Sequence, residues 1–189
     1  MTGYFGKVST HGDFVSRRLP DDLVAAWDAW LQGCIAASRA QLGAGWLDHY
    51  LTSPVWRFGI APGVLGSDGL GGVMMPSVDR VGRYFPLMIG APGARPLLDW
   101  FQQHGDWFDE IEGLARASLD PAFQLAALDA ASEPALMASQ VVLRGRTLWW
   151  TVGEDGIEGT PLVCAGMPRP HMFTAMLDGS WLAGWPASF

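Results

Sequence analysis

Chemistry-capable side chains gather in two short stretches of the sequence. His11 and Asp13, on either side of Gly12, form a local acid/base pair of the kind that can polarise a nucleophile or bind a metal ion. No Gly-x-Ser-x-Gly elbow, His-Glu-x-x-His pair or phosphate-binding loop accompanies them, and Asp beside Gly is a common turn device, so turn chemistry is the favoured reading. The second stretch runs from Pro76 to Pro86, where Asp79, Arg80 and Arg83 crowd between apolar runs. Arg80 and Arg83 can grip a phosphate or carboxylate in a fork, with Gly82 allowing close backbone approach. Equally, Asp79 and Asp13 can each take an arginine in a buried ion pair that pins two loops, and this reading is preferred. Asp13, Asp79, Arg80 and Arg83 are therefore the candidate interaction or structural cluster, with no catalytic or metal-ligating residue assigned. Ser77 has no base near it in sequence and is not taken as a nucleophile.

Other features carry less. The stretch Gly63 to Gly72 is rich in glycine but lacks both GxGxxG and GxxxxGK[ST], which makes it a loop rather than a phosphate cradle. Trp149 and Trp150, adjacent in a strand, must face opposite sides, so one is expected in the core and the other at a surface contact. Cys34 and Cys164 stand far apart with no CxxC or Cys/His cluster, and read as buried thiols of a reducing compartment.

The elements that must position these residues follow from periodicity. Pro20 to about Leu42 is the clearest helix: Pro20 suits a first turn, Asp21 and Asp22 suit the positive end of the dipole, and Gly43 suits the stop. Leu23, Trp27, Trp30, Leu31, Cys34 and Ile35 recur on one face of it. A short helix over Trp46 to Leu51 follows. Helical spacing returns from Pro96 to about Leu119, with a possible break at Gly105, then from Pro121 to Ala131 and from Pro170 to Leu177. Strands are expected at Tyr4 to Val8, at Val55 to Ile60, where Arg57 and Gly59 alternate with apolar neighbours as in a half-buried strand, at Gly72 to Pro76, at Phe85 to Gly90 and at Leu162 to Cys164. A hairpin pairs Gln140 to Arg144 with Thr147 to Val152, and a turn closes at Glu154 to Gly156. Strands and helices interleave over residues 1–189 without a dividing linker. The fold class is therefore α/β, a single domain with a mixed sheet and helices on both faces in a three-layer sandwich.

Composition narrows the function classes. The 189 residues carry 12 Lys and Arg against 19 Asp and Glu, a net charge of −7, which argues against a nucleic-acid partner. The imbalance lies in the second half, where residues 96–189 hold four basic and twelve acidic side chains. With Trp107, Trp149, Trp181 or Trp185 partly exposed, that acidic half is a second candidate docking patch. No run reaches the roughly 18 apolar residues of a membrane span, and the N-terminus lacks a signal-peptide pattern, so no membrane association and a cytoplasmic protein are expected.

Three segments together resemble the TagF family of type VI secretion accessory proteins. They are Gly3-Tyr4-Phe5-Gly6-Lys7 with Gly12-Asp13-Phe14-Val15; Ser53 to Phe58 with Gly72 to Leu87; and Leu148 to Thr151 with Met167-Pro168-Arg169-Pro170, Phe173 and Leu177-Asp178-Gly179. The resemblance implies a compact α/β domain. It also implies a post-translational regulator, usually a repressor of assembly or firing, whose partner is the forkhead-associated scaffold of that machine. Some relatives carry the domain fused to a PP2C-type phosphatase. The Asp-rich metal motifs of such an enzyme are missing here, so no cofactor is expected and any dephosphorylation is expected of another protein. The leading expectation is a non-enzymatic regulatory binding module. The alternatives are a phosphate-ligand enzyme or sensor built on His11, Asp13, Arg80 and Arg83, and a structural subunit of the secretion apparatus.

Overall fold

A computed structural model describes residues 1–93, 96–103, 105–134, 144–153 and 159–183. At its centre lies a seven-stranded sheet of β1 (Gly3–Gly6), β2 (Val15–Arg17), β3 (Trp56–Ile60), β4 (Leu70–Met75), β5 (Leu87–Pro92), β6 (Arg146–Trp150) and β7 (Leu162–Ala165), in the order β2-β1-β5-β4-β3-β6-β7. Each of the neighbouring strand pairs is antiparallel. The expected α/β architecture with helices on both faces is present. The mixed pairing expected from a hairpin within an otherwise interleaved chain is not what the sheet uses. Antiparallel neighbours arise because β3 to β4 and β4 to β5 return directly without a crossover helix, and the long segments between strands lie over the faces instead.

The strands alternate between two cores. On one face Phe5, Trp56, Phe58, Ile60, Met74, Met88 and Trp149 meet α1 (Asp21–Leu42), α2 (Trp46–Thr52) and α6 (Pro170–Asp178). On the other Tyr4, Val73, Met75, Leu87, Ile89, Leu148 and Trp150 meet α3 (Leu97–Gln103), α4 (Gly105–Ala117) and α5 (Leu125–Asp129). Period two of the strand thus feeds both layers. Trp149 and Trp150 do face opposite sides, as expected, but neither is a surface contact: both are buried, because each face of β6 has its own helical cover. Trp107 is likewise buried and Trp181 partly so, which removes Trp107 and Trp149 as exposed anchors of the acidic half. Trp185, the first hairpin strand at 140–143 and the turn at 154–156 lie outside the described residues.

Helix ends follow local chemistry. Gly43, at φ 53°, ends α1 and donates its N–H to the Arg39 carbonyl, a backbone shape that other residues adopt only with strain. Helix α3 is described to Gln103 and α4 from Gly105, and the expected break between them falls at residue 104, outside the described residues. Above the sheet, Trp100 of α3 lies flat on Gly59 and Gly71, where a Cβ added at Gly71 would stand 2.3 Å from the indole. Glycine in these strands is therefore a seat for a tryptophan. Among the described residues no helix is long and apolar enough to cross a membrane.

Candidate functional site

Two loops meet at the β1 end of the sheet. The segment after β4 turns back on itself at Asp79 to Arg83: the Asp79 N–H donates to the Arg83 carbonyl at 3.0 Å, the Gly82 N–H to the Asp79 carbonyl at 3.0 Å, and Val78 bridges Tyr84. Gly82, at φ 84°, makes that turn possible. The Asp79 carboxylate organises the turn from inside. Its Oδ1 accepts from the amides of Val81 (3.0 Å) and Arg83 (2.9 Å), and its Oδ2 from Lys7 Nζ (2.9 Å) and Arg83 Nε (2.7 Å).

Burial opposes charge on this carboxyl, but those hydrogen bonds outweigh it and hold Asp79 well below the usual carboxylate range. It is therefore ionised at neutral pH, with each oxygen already taking two donors. An acceptor in that state has its lone-pair positions taken and little affinity for a proton near neutral pH. Lys7 is as buried as its partner and lies over the Phe14 ring at 4.1 Å.

The loop after β1 is stitched to this turn. Arg80 N–H donates to the His11 carbonyl at 2.9 Å, and the Arg83 guanidinium donates to the Gly12 carbonyl. Ser77, buried, donates its hydroxyl to the Lys7 carbonyl at 2.7 Å and trades backbone bonds with the Tyr50 hydroxyl, whose pKa burial raises. Its hydroxyl is thus fixed in a strut. His11 Nδ1 lies 3.0 Å from the Thr10 hydroxyl.

The four sequence candidates are brought together, in unequal roles. Asp79 and Arg83 form the expected ion pair, with Lys7 as a third member that sequence reasoning missed. Asp13 departs from expectation: among the described residues it takes no arginine, its carboxylate is 88% exposed, it accepts from the Phe14 N–H, and it stands 4.0 Å from Lys7 Nζ. Asp79 already holds Arg83, which leaves the neighbouring turn to hold Asp13 through its own backbone. Arg80 is exposed and has no ion pair among the described residues. A phosphate grip by both arginines would have to take Arg83 from two partners while Asp13 repels the ligand at the mouth.

A second charged site escaped the sequence reading. Arg57, expected on the polar side of a half-buried strand, is 96% covered because α4 closes that face of β3, and it donates from Nε to Glu112 at 3.0 Å and from its terminal nitrogen to Asp109 at 2.5 Å. Arg116 also reaches Glu112, at 2.7 Å, along the rim of a 330 Å³ groove closed by Val152 and Gly153. The available signal was Asp109 and Glu112 three apart on one helix face opposite a strand arginine. Glu112→Ala, which strips the buried guanidinium of its better-covered partner, is expected to cost about 1–3 kcal/mol in urea unfolding. No change would mean that Asp109 alone suffices.

Cys34 and Cys164 are buried free thiols, and burial pushes Cys34 up to about 12. Among the described residues no group of three or more His, Cys, Asp and Glu side chains gathers in a way that could hold a metal. The arrangement at Asp79 holds two loops rigid and leaves Arg80, Asp13, Phe14 and Val81 facing outward.

The comparison with curated proteins finds no match. Among solved structures, the crystal structure of PA0076 from Pseudomonas aeruginosa PAO1 is similar to this fold, with a TM-score of 0.84 at 36% identity over 95% of this chain and 94% of that one. The family model of the TagF N-terminal domain, type VI secretion system-associated, matches residues 3–134 and so takes in β1 to β5, both stitched loops and Arg57. The chain belongs to that family and is a type VI secretion-associated protein.

Proposed function

We propose that the chain is a non-enzymatic regulatory binding module: a post-translational repressor of type VI secretion assembly or firing that acts from the cytoplasm through a forkhead-associated scaffold protein. The observation that carries this reading is the saturation of Asp79, whose four donors make the cluster a strut for a surface rather than a reacting centre. Family membership supplies the machine. The outward residues supply the contact, since the Arg80 guanidinium, with no ion pair among the described residues, can take a partner carboxylate.

The test is capture of the purified scaffold from the same secretion system by wild type and by Arg80→Ala. Arg80 has no ion pair to lose among the described residues, so the variant is expected to keep its melting temperature within about 2 °C. It should bind the scaffold about tenfold more weakly and release secretion from control in cells. Equal capture by both would move the site elsewhere. No capture by wild type would refute the scaffold reading.

A further inference from the structure

Beside the Asp79 turn, a groove of 290 Å³ runs between α1 and the start of β5, lined by Gln32, Ile35, Ala36, Arg39, Tyr84 and Phe85. Ala36 opens it: Gln32, Ala36 and Arg39 lie on one exposed stripe of the helix, and the small side chain leaves the floor to Ile35, Tyr84 and Phe85. The apolar surface continues past the groove. Phe14, 43% exposed, packs on Phe85 with ring centroids 4.9 Å apart, and Val81 stands 65% exposed on the adjoining turn. Its charge is opposite to that of the molecule. Arg39, Arg80, Arg83 and the buried Lys7 bear on this face against Asp13, the buried Asp79 and Asp28, which accepts from Gln32 at 2.6 Å, whereas the whole chain is at −7. Arg39 stacks on Trp46 at 4.2 Å with no ion pair among the described residues, so its charge is held in place yet unspent. The groove at Arg57 offers no such sign, since its two arginines and two carboxylates cancel.

We infer that this groove is the docking site for an acidic protein segment that inserts an apolar side chain between Ala36 and Phe85 and lays flanking carboxylates on Arg39 and Arg80. The inference rests on the binding-module reading and names the partner's chemistry. An apolar floor with a cationic rim favours such a segment twice. Burial of Phe14, Val81 and the groove floor supplies the attraction, and the arginines select charge and register.

Two probes separate the groove from the scaffold assignment. The first is the purified forkhead-associated scaffold. The second is a fluorescent peptide of alternating Glu and Leu with a central Phe, compared with the same peptide carrying Lys for Glu. Ala36→Glu, which plugs and recharges the groove at an exposed helix position, and Arg39→Glu should each weaken scaffold binding about tenfold or more. Wild-type affinity should fall as salt rises from about 50 to about 300 mM, and the acidic peptide alone should bind. If the scaffold binds both variants as it binds wild type, the groove is overturned and the scaffold reading stands. If wild type binds no scaffold, that reading fails. The peptide then decides: binding abolished by Ala36→Glu upholds the groove, and no binding overturns it.

Discussion

Replacing Asp79 with alanine is expected to lower the melting temperature by about 10 °C, more than the loss of any other member of the cluster. Three consequences fall together. Lys7, buried to a few per cent, loses its close counter-ion, the amides of Val81 and Arg83 lose their acceptor, and Arg83 loses the partner that aims it at Gly12. Arg83→Ala should cost far less, since the Arg83 side chain is 57% exposed and leaves Lys7 paired. Lys7→Met combined with Asp79→Leu removes the buried charges together and should recover part of the loss, but not the part owed to the turn amides.

Acid resolves the same group. A carboxyl held below its unfolded value contributes stability in full above about pH 4 and loses it as pH falls from there toward the folded value. Wild type should therefore lose more melting temperature between about pH 5 and pH 3 than Asp79→Asn does, and parallel profiles would contradict the assignment. Asparagine keeps one acceptor for the turn amides but turns an N–H₂ toward Lys7, so its neutral-pH stability should lie between wild type and alanine.

Trp100→Ala is the second large effect, expected to cost about 3–5 kcal/mol in denaturant unfolding. The indole is fully buried on a floor of Gly59 and Gly71, which have no side chains to swing into the void. Cavity cost depends on how far a site can collapse, and this one is held open by backbone. Gly71→Ala should also destabilise the wild type, because its methyl meets the indole, yet stabilise the Trp100→Ala background by filling part of the same space. Additive effects of the two changes would place the tryptophan elsewhere.

What the sequence made legible was local or periodic. The face of α1, the stop at Gly43 and the strand at Phe85 to Gly90 depend on spacing within one window, and they stand close to where spacing puts them. The Asp79–Arg83 pair was readable because both residues share one turn. Lys7 was not, since it reaches Asp79 across 72 positions of sequence and nothing near Lys7 marks it as buried. The open face expected at Arg57 and the surface contact expected of one of Trp149 and Trp150 were misjudged for one shared reason: alternation shows that a strand has two faces, but not that a helix covers the second. Antiparallel pairing throughout is a matter of non-local register in the same way. Asp13 shows the limit of reading charges by proximity, for the turn's own backbone holds it and the arginine goes to Asp79.

In the proposed function Asp79 and Lys7 are the frame, and the Arg80 turn with the α1 groove is the contact surface. The most direct test is hydrogen–deuterium exchange of the full chain with and without the purified forkhead-associated scaffold. Slowed exchange at residues 10–14, 32–39 and 80–85, with the α4 face around Arg57 unchanged, is the predicted result. Protection confined to the α4 face, or no complex at all, would contradict the account.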